Sequence, residues 1–230
     1  MVLTLLLWVA PARAADVDLE LVLAADGSGS IDDGEMRLQR EGYARALSDP
    51  ELVTAMTSGS RGRVAIMYFE WGGAESQVVI ADWAVIDGID SAAAFAEQLR
   101  MTPRGATGWN SISNAIAFAH RAIRENDHEG IRRVIDISAD SGNYGGVPLP
   151  LAREAAVSDD ITINGLAVLC RTCDGRPARG DLEDYFARQV IGGFGAFVVT
   201  VDQTTSFAEA IRRKLLLEIA GLPAKPLASR

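Results

Sequence analysis

Asp26, Ser28 and Ser30 alternate with two glycines in the stretch Ala24-Ala25-Asp26-Gly27-Ser28-Gly29-Ser30, where a long apolar run stops. A carboxylate and two hydroxyls this close, with glycines that let the backbone turn tightly, suit three chemistries. They could form a phosphate loop, a serine nucleophile, or a set of hard oxygen ligands for a cation. A phosphate loop fits poorly. The third glycine of G-x-G-x-x-G is absent, there is no G-K-[ST] in the chain, and Asp26, Asp32 and Asp33 would repel the anion. A nucleophilic serine fits little better, because Asp26 stands where the elbow G-x-S-x-G needs its first glycine. The only histidines, His120 and His128, lie on or just after one helical pattern rather than at a strand end. Hydroxyl and carboxylate oxygens are the ligands that Mg²⁺ and Ca²⁺ prefer. A calcium loop of the EF-hand type starting at Asp26 is excluded, since Ile31 and Arg37 occupy the places of its glycine and its glutamate.

The elements that must position these residues alternate along the chain. Asp18 to Asp26 is an almost continuous apolar run, as expected of a strand covered on both faces. A helix is expected from about Ile31 to Leu47, with Met36, Tyr43, Ala44 and Leu47 turned inward. Strands are expected at 62–71 and 76–83, and the short link between them predicts an antiparallel hairpin. Helical patterns at 91–101 and 109–126 follow, the second with Trp109, Ile112, Ile116, Ala119 and Ile123 on one face. Then come a strand at 131–140, a helix at 149–158, a strand at 161–169, a short helix around Leu182–Ile191, a strand at 196–202, and a closing helix carrying Phe207, Ile211, Leu215 and Ile219. This order predicts an α/β fold: a doubly wound, mostly parallel sheet with one antiparallel edge strand and helices on both faces. Ligands of such folds bind beyond the carboxyl ends of the strands. Asp26 and Asp140 each end an apolar strand, so two carboxylates are expected to meet in one crevice. Asp136 lies inside its strand and reads as a paired or edge acid rather than a ligand, while Trp71, Trp83 and Trp109 read as core. Ser30 could equally serve as a helix cap, and Thr107 and Asp140 could be ordinary loop and turn residues.

With the strand-end acid in place, the sequence resembles the von Willebrand factor type A, or integrin I-like, domains, and within them a bacterial group without an assigned function. The resemblance runs from Val17 to about Ile219. It rests on D-x-S-x-S at Asp26, Ser28 and Ser30, a threonine before a helix in "PRGATGWNSISNAI", and the acid closing "VIDISAD". It implies a metal-ion-dependent adhesion site of Asp26, Ser28, Ser30, Thr107 and Asp140, with the hydroxyls touching the ion and the acids acting mainly through water. Mg²⁺ is the implied ion, with Mn²⁺ or Ca²⁺ as alternatives, and a protein partner would present an Asp or Glu to complete its shell. The family's Thr-Asp-Gly is here Ala139-Asp140-Ser141.

Composition sets the remaining bounds. The 230 residues carry a net charge of −9, which disfavours a nucleic-acid backbone as partner. The apolar run from Val2 to Ala10 is too short to span a bilayer, and Ala12-Arg13-Ala14 has the small-x-small pattern of a signal cleavage site. Residues 1–14 therefore read as a signal peptide, 15–220 as the domain and 221–230 as a disordered tail, with the protein periplasmic or secreted. In that setting Cys170 and Cys173 are expected to form a disulfide, since turn residues rather than a redox helix follow them. The resulting expectation is an exported, cation-binding recognition domain with no enzymatic activity. A metal-assisted hydrolase in the same crevice and a structural domain without a functional metal are the alternatives.

Overall fold

The computed structural model describes residues 14–169, 181–202 and 206–221. Six strands form one sheet: β1 (Asp16–Asp26), β2 (Val64–Trp71), β3 (Gln77–Ile86), β4 (Glu129–Ala139), β5 (Ile161–Val168) and β6 (Val198–Val201). Their order is β3-β2-β1-β4-β5-β6, parallel throughout except for the β2–β3 hairpin. The helices are α1 (Asp33–Leu47), α2 (Pro50–Thr57), α3 (Ile89–Met101), α4 (Ile112–Glu125), α5 (Leu149–Ser158), α6 (Leu182–Tyr185), which runs on into a π turn over Phe186–Val190, and α7 (Phe207–Ala220). The α/β architecture is the one expected from the alternation of elements.

The period of two in β1 divides the core between two faces. Leu19, Leu21 and Leu23 pack under α1, α2, α3 and α7 with Tyr43, Leu47, Phe95, Ile211 and Leu215. Val22 and Ala24 face the other way, onto Ile112, Ile116, Ala119 and Phe186 from α4 and the π turn. The chain runs outward from β1 to β3 and then crosses back to β4 on the other side of β1. This places the switch point, and the crevice, at the carboxyl ends of β1 and β4.

Helix α2 was not expected. Its start is set by Asp49, whose carboxylate accepts from Glu51 N at 2.9 Å and Leu52 N at 3.3 Å, and by Pro50 in its first turn. Leu52, Val53 and Met56 are its buried face. Helix α1 is capped not by Ser30 but by Asp32, in a reciprocal box with Glu35. Among the described residues no helix is long and apolar enough to cross a membrane. The cysteines Cys170 and Cys173, the segment read as a signal peptide (apart from Ala14) and the tail beyond Gly221 lie outside the described residues.

Of the two roles its place in the strand suggests, Asp136 takes the paired one. It meets Lys214 Nζ of α7 at 2.5 Å, and that ammonium also lies 2.5 Å from Glu218. All three side chains are buried. Burial, and then the charge of Asp136, push the Glu218 carboxyl up to about 8 from its ordinary 4.5. Between those two values the folded chain keeps a proton that the unfolded chain has lost, so this group's stabilisation falls as pH rises. Relative to Glu218→Gln, the wild-type chain should lose up to about 1.4 kcal/mol per pH unit across that window. Urea midpoints of both proteins measured from pH 5 to 8 check it; parallel pH profiles would refute the assignment.

Candidate functional site: a closed polar crevice

The loop after β1 is fixed from three sides. Gly27 N donates to Trp71 O at 2.7 Å, Gln39 Nε2 of α1 donates to Asp26 O at 2.9 Å, and Gly29 N donates to Gly108 O at 2.8 Å. The facing loop, 102–111, leans on the hairpin link. Gly73 N donates to Thr107 O at 2.8 Å, Thr107 N donates to Ser76 Oγ at 2.9 Å, and Ser111 N donates to Gly72 O at 2.8 Å. Two glycines permit this contact. A Cβ on Gly72 would fall 2.2 Å from Thr107 O, and Gly108 holds a φ of +90°.

Four of the five expected site residues converge. Asp26 is fully buried; its Oδ1 accepts from Ser28 N at 2.8 Å and its Oδ2 lies 3.4 Å from Asp140 N. The Ser28 and Ser30 hydroxyls are 3.0 Å apart, and Ser30 Oγ donates to Asp140 Oδ2 at 3.1 Å. Asn110 Nδ2 donates to Asp140 Oδ1 at 3.3 Å and also to Ser141 Oγ. Thr107 is different. It is held by its backbone against the hairpin link and is not among the residues lining the crevice.

This convergence does not make a metal centre. Among the described residues no group of three or more His, Cys, Asp or Glu is placed to hold a metal ion. The crevice gathers two carboxylates, and its hydroxyls and carboxylates hydrogen-bond to one another. A divalent ion would have to break those bonds and would find little negative charge to replace its water. The expectations of bound Mg²⁺, Mn²⁺ or Ca²⁺, of a metal-ion-dependent adhesion site, and of a partner Asp or Glu completing an ion's shell are thereby overturned. So is the alternative of a metal-assisted hydrolase. The histidines offer no general base here. His120 pairs with Asp159 at 2.7 Å, and His128 is buried beside Trp83, both near the amino ends of β4 and β5.

The structure adds residues that were not expected at this site. Above the network opens a cavity of about 640 Å³, whose lining includes Trp109, Asn110, Asn143 and Tyr144. The Trp109 and Tyr144 rings stand 5.7 Å apart, tilted by 40°, and are 75% and 67% exposed. Trp109 is thus not core. Helix α4 starts three residues later, at Ile112, and Gly108 turns the tryptophan away from the helix register. The pair Asn110-Ser111, typical of helix starts, is the signal that would have placed Trp109 in the loop. Tyr144 is positioned by its N–H to Asn110 O at 2.5 Å, and Asn143 by the Tyr185 hydroxyl, which accepts from its N–H at 3.0 Å.

Residues 16–223 match the family described as "Protein of unknown function (DUF1194)". A search of the curated proteins finds no match. Among solved structures, the chain is similar to the pilus adhesin SpaC of Lactobacillus rhamnosus GG, with a TM-score of 0.62 and 10% identity over 89% of this chain and 30% of that one. It is similar to a von Willebrand factor type A protein of Catenulispora acidiphila, with a TM-score of 0.59 and 15% identity over 89% and 42%. It is also similar to the vWF domain of the pilus tip protein Mfa5 of Porphyromonas gingivalis, with a TM-score of 0.59 and 9% identity over 92% and 98%. The chain thus spans less than half the length of the first two and nearly all of the third. At these identities the likeness establishes the von Willebrand factor type A fold.

Proposed function

Because the chain belongs to the DUF1194 family and carries a von Willebrand factor type A fold, we propose that it is a non-catalytic domain that works without a metal ion. In this reading its crevice at the carboxyl end of the sheet is a preformed polar surface for protein recognition. The observation that carries it is the closed network of Asp26, Ser28, Ser30, Asn110 and Asp140, whose groups are already satisfied by one another. A network of this kind is rigid without a ligand. Two proteins with the same fold are a pilus adhesin and a pilus tip protein, and neither role is an enzyme's. The apolar run Val2–Ala10 and the pattern Ala12-Arg13-Ala14 support export to the periplasm or beyond.

Metal linkage tests this reading directly. A ligand that binds only the folded state raises stability by about 2.7 kcal/mol at a hundred times its Kd. Thermal melts of the purified chain in millimolar Mg²⁺ and in chelator should coincide. A melting temperature that climbs with Mg²⁺ concentration would overturn the metal-independent reading.

A further inference from the structure

Without a divalent ion the sign of the crevice is reversed. A bound cation would make it a receptor for carboxylates, whereas Asp26 and Asp140 as they stand make it negative. The opposing fields are weaker. A helix N-terminus carries about half a unit of positive charge. That of α1 is faced by Asp32, Asp33 and Glu35, and at α4 the Asn143 side-chain Oδ1 accepts from Ser113 N at 2.8 Å. Arg104 pairs with Asp33 at 3.1 Å and donates to the carbonyls of Gly27 and Ser28, and it is not among the residues lining the cavity. The net charge of −9 has the same sign and draws basic surfaces toward the molecule.

The walls add a second preference. Trp109 and Tyr144 flank a cavity that also holds the partly exposed Asp140. The face of an aromatic ring attracts ammonium and guanidinium groups, tryptophan most strongly. Two exposed rings beside a carboxylate therefore favour an organic cation over a neutral or acidic group. Val147 and Leu151, a few residues after Tyr144 in the chain, are exposed as well. A cavity of about 640 Å³ has room for a whole arginine or lysine side chain with its backbone, which suits a polypeptide better than a free small amine.

We propose that the crevice receives a basic side chain, an arginine or a lysine, from a loop of a protein partner, with the cation against Asp140 and its stem along Trp109 and Tyr144. This rests on the reading of the crevice as a metal-independent recognition surface. The test is an NMR titration of the isotope-labelled full chain, following the Trp109 indole N–H, with end-capped pentapeptides Gly-Gly-X-Gly-Gly in which X is Arg, Lys, Gln or Glu. The Arg and Lys peptides should shift that resonance saturably, and the Gln and Glu peptides should leave it in place. Asp140→Asn should weaken Arg-peptide binding by about five-fold, the scale of one exposed ion pair. Removing the rings in turn keeps the test independent of any loosening of the network. Tyr144→Ala, at an exposed position, should weaken binding about two- to five-fold, the scale of an exposed cation–π contact. Equal shifts by Arg and Gln peptides, a preference for the Glu peptide, or Arg binding untouched by both variants would overturn the proposal. Mg²⁺ alone separates the two readings. If it moves the Trp109 resonance and displaces the Arg peptide, the metal-independent reading fails. If Mg²⁺ is silent and no basic peptide binds, only the present proposal does.

Discussion

Replacing Lys214 by methionine should destabilise the fold by about 3–5 kcal/mol, the usual effect of removing one partner from a buried ion pair. The Lys214 ammonium is enclosed between Asp136 on β4 and Glu218 one turn further along α7, with the Phe197 ring 5.7 Å away. Asn164 Nδ2 donates to Glu218 at 3.1 Å, and Asn164 Oδ1 accepts from Phe197 N at 3.1 Å. Without Lys214, Asp136 becomes a buried charge with no counter-ion, in the centre of the sheet. Methionine fills a similar volume, so the loss reports charge rather than a cavity. The double variant Lys214→Met, Asp136→Asn should recover a large part of the deficit, because both charges then leave together. Urea midpoints of the two variants decide the matter. A single variant within about 1 kcal/mol of the wild type would show that the cluster is not an ion pair in solution.

Arg40→Met should cost a similar amount, about 3–5 kcal/mol, and its effect should reach the crevice. Arg40 on α1 forms a two-pronged contact with Glu70 on β2, at 2.6 and 2.9 Å, and Glu70 is fully buried. The same guanidinium donates to Leu99 O and Pro103 O at 3.4 Å and to Thr102 O, so it anchors the start of the loop that carries Thr107 and Trp109. Burial alone would lower its pKa, and the hydrogen-bonded Glu70 carboxylate more than reverses that, so it is raised overall. Glu70 also backs the loop after β1, since a Cβ placed on Gly27 would lie 3.3 Å from Glu70 Cβ. Hydrogen exchange at Gly29 N–H, which bonds Gly108 O, should therefore speed up more than the global loss of stability explains. Exchange that tracks global stability alone would break the proposed link between the pair and the crevice.

Periodicity made most of the sheet readable. A strand such as β1, covered on both faces, shows a continuous apolar run, here Leu21 to Ala25, and the spacing of four between Phe207, Ile211, Leu215 and Ile219 leaves one face for α7 to bury. Helix α2 escaped because its eight residues make only two turns, too few for a periodic signal, and its Asp49-Pro50 start was the sole cue. Trp109 escaped for the opposite reason. It falls in phase with Ile112 and Ile116, but one positive φ at Gly108 takes it off that helix. The crevice itself shows a further limit. The spacing of Asp26, Ser28 and Ser30 tells which side chains can meet, but not where their lone pairs go. Here the pairing of Ser28 with Ser30 and of Ser30 with Asp140 uses oxygens that the resemblance assigned to an ion.

The strand order has a kinetic consequence. Asp26 and Ser138, which touch across β1 and β4, lie 112 positions apart in the chain. Contacts between such distant segments form slowly, because the intervening loop must be closed before any of them is gained. During synthesis, at about 5–20 residues per second, the chain between these two strands takes roughly 6–20 s to emerge. For that interval β1 can pair with β2 on one side only, as Leu19 does with Val64. Its other edge, apolar from Leu21 to Ala25, offers unpaired N–H and C=O groups to any neighbouring chain. The strand that ends in the crevice is thus also open to misassembly before the fold is complete.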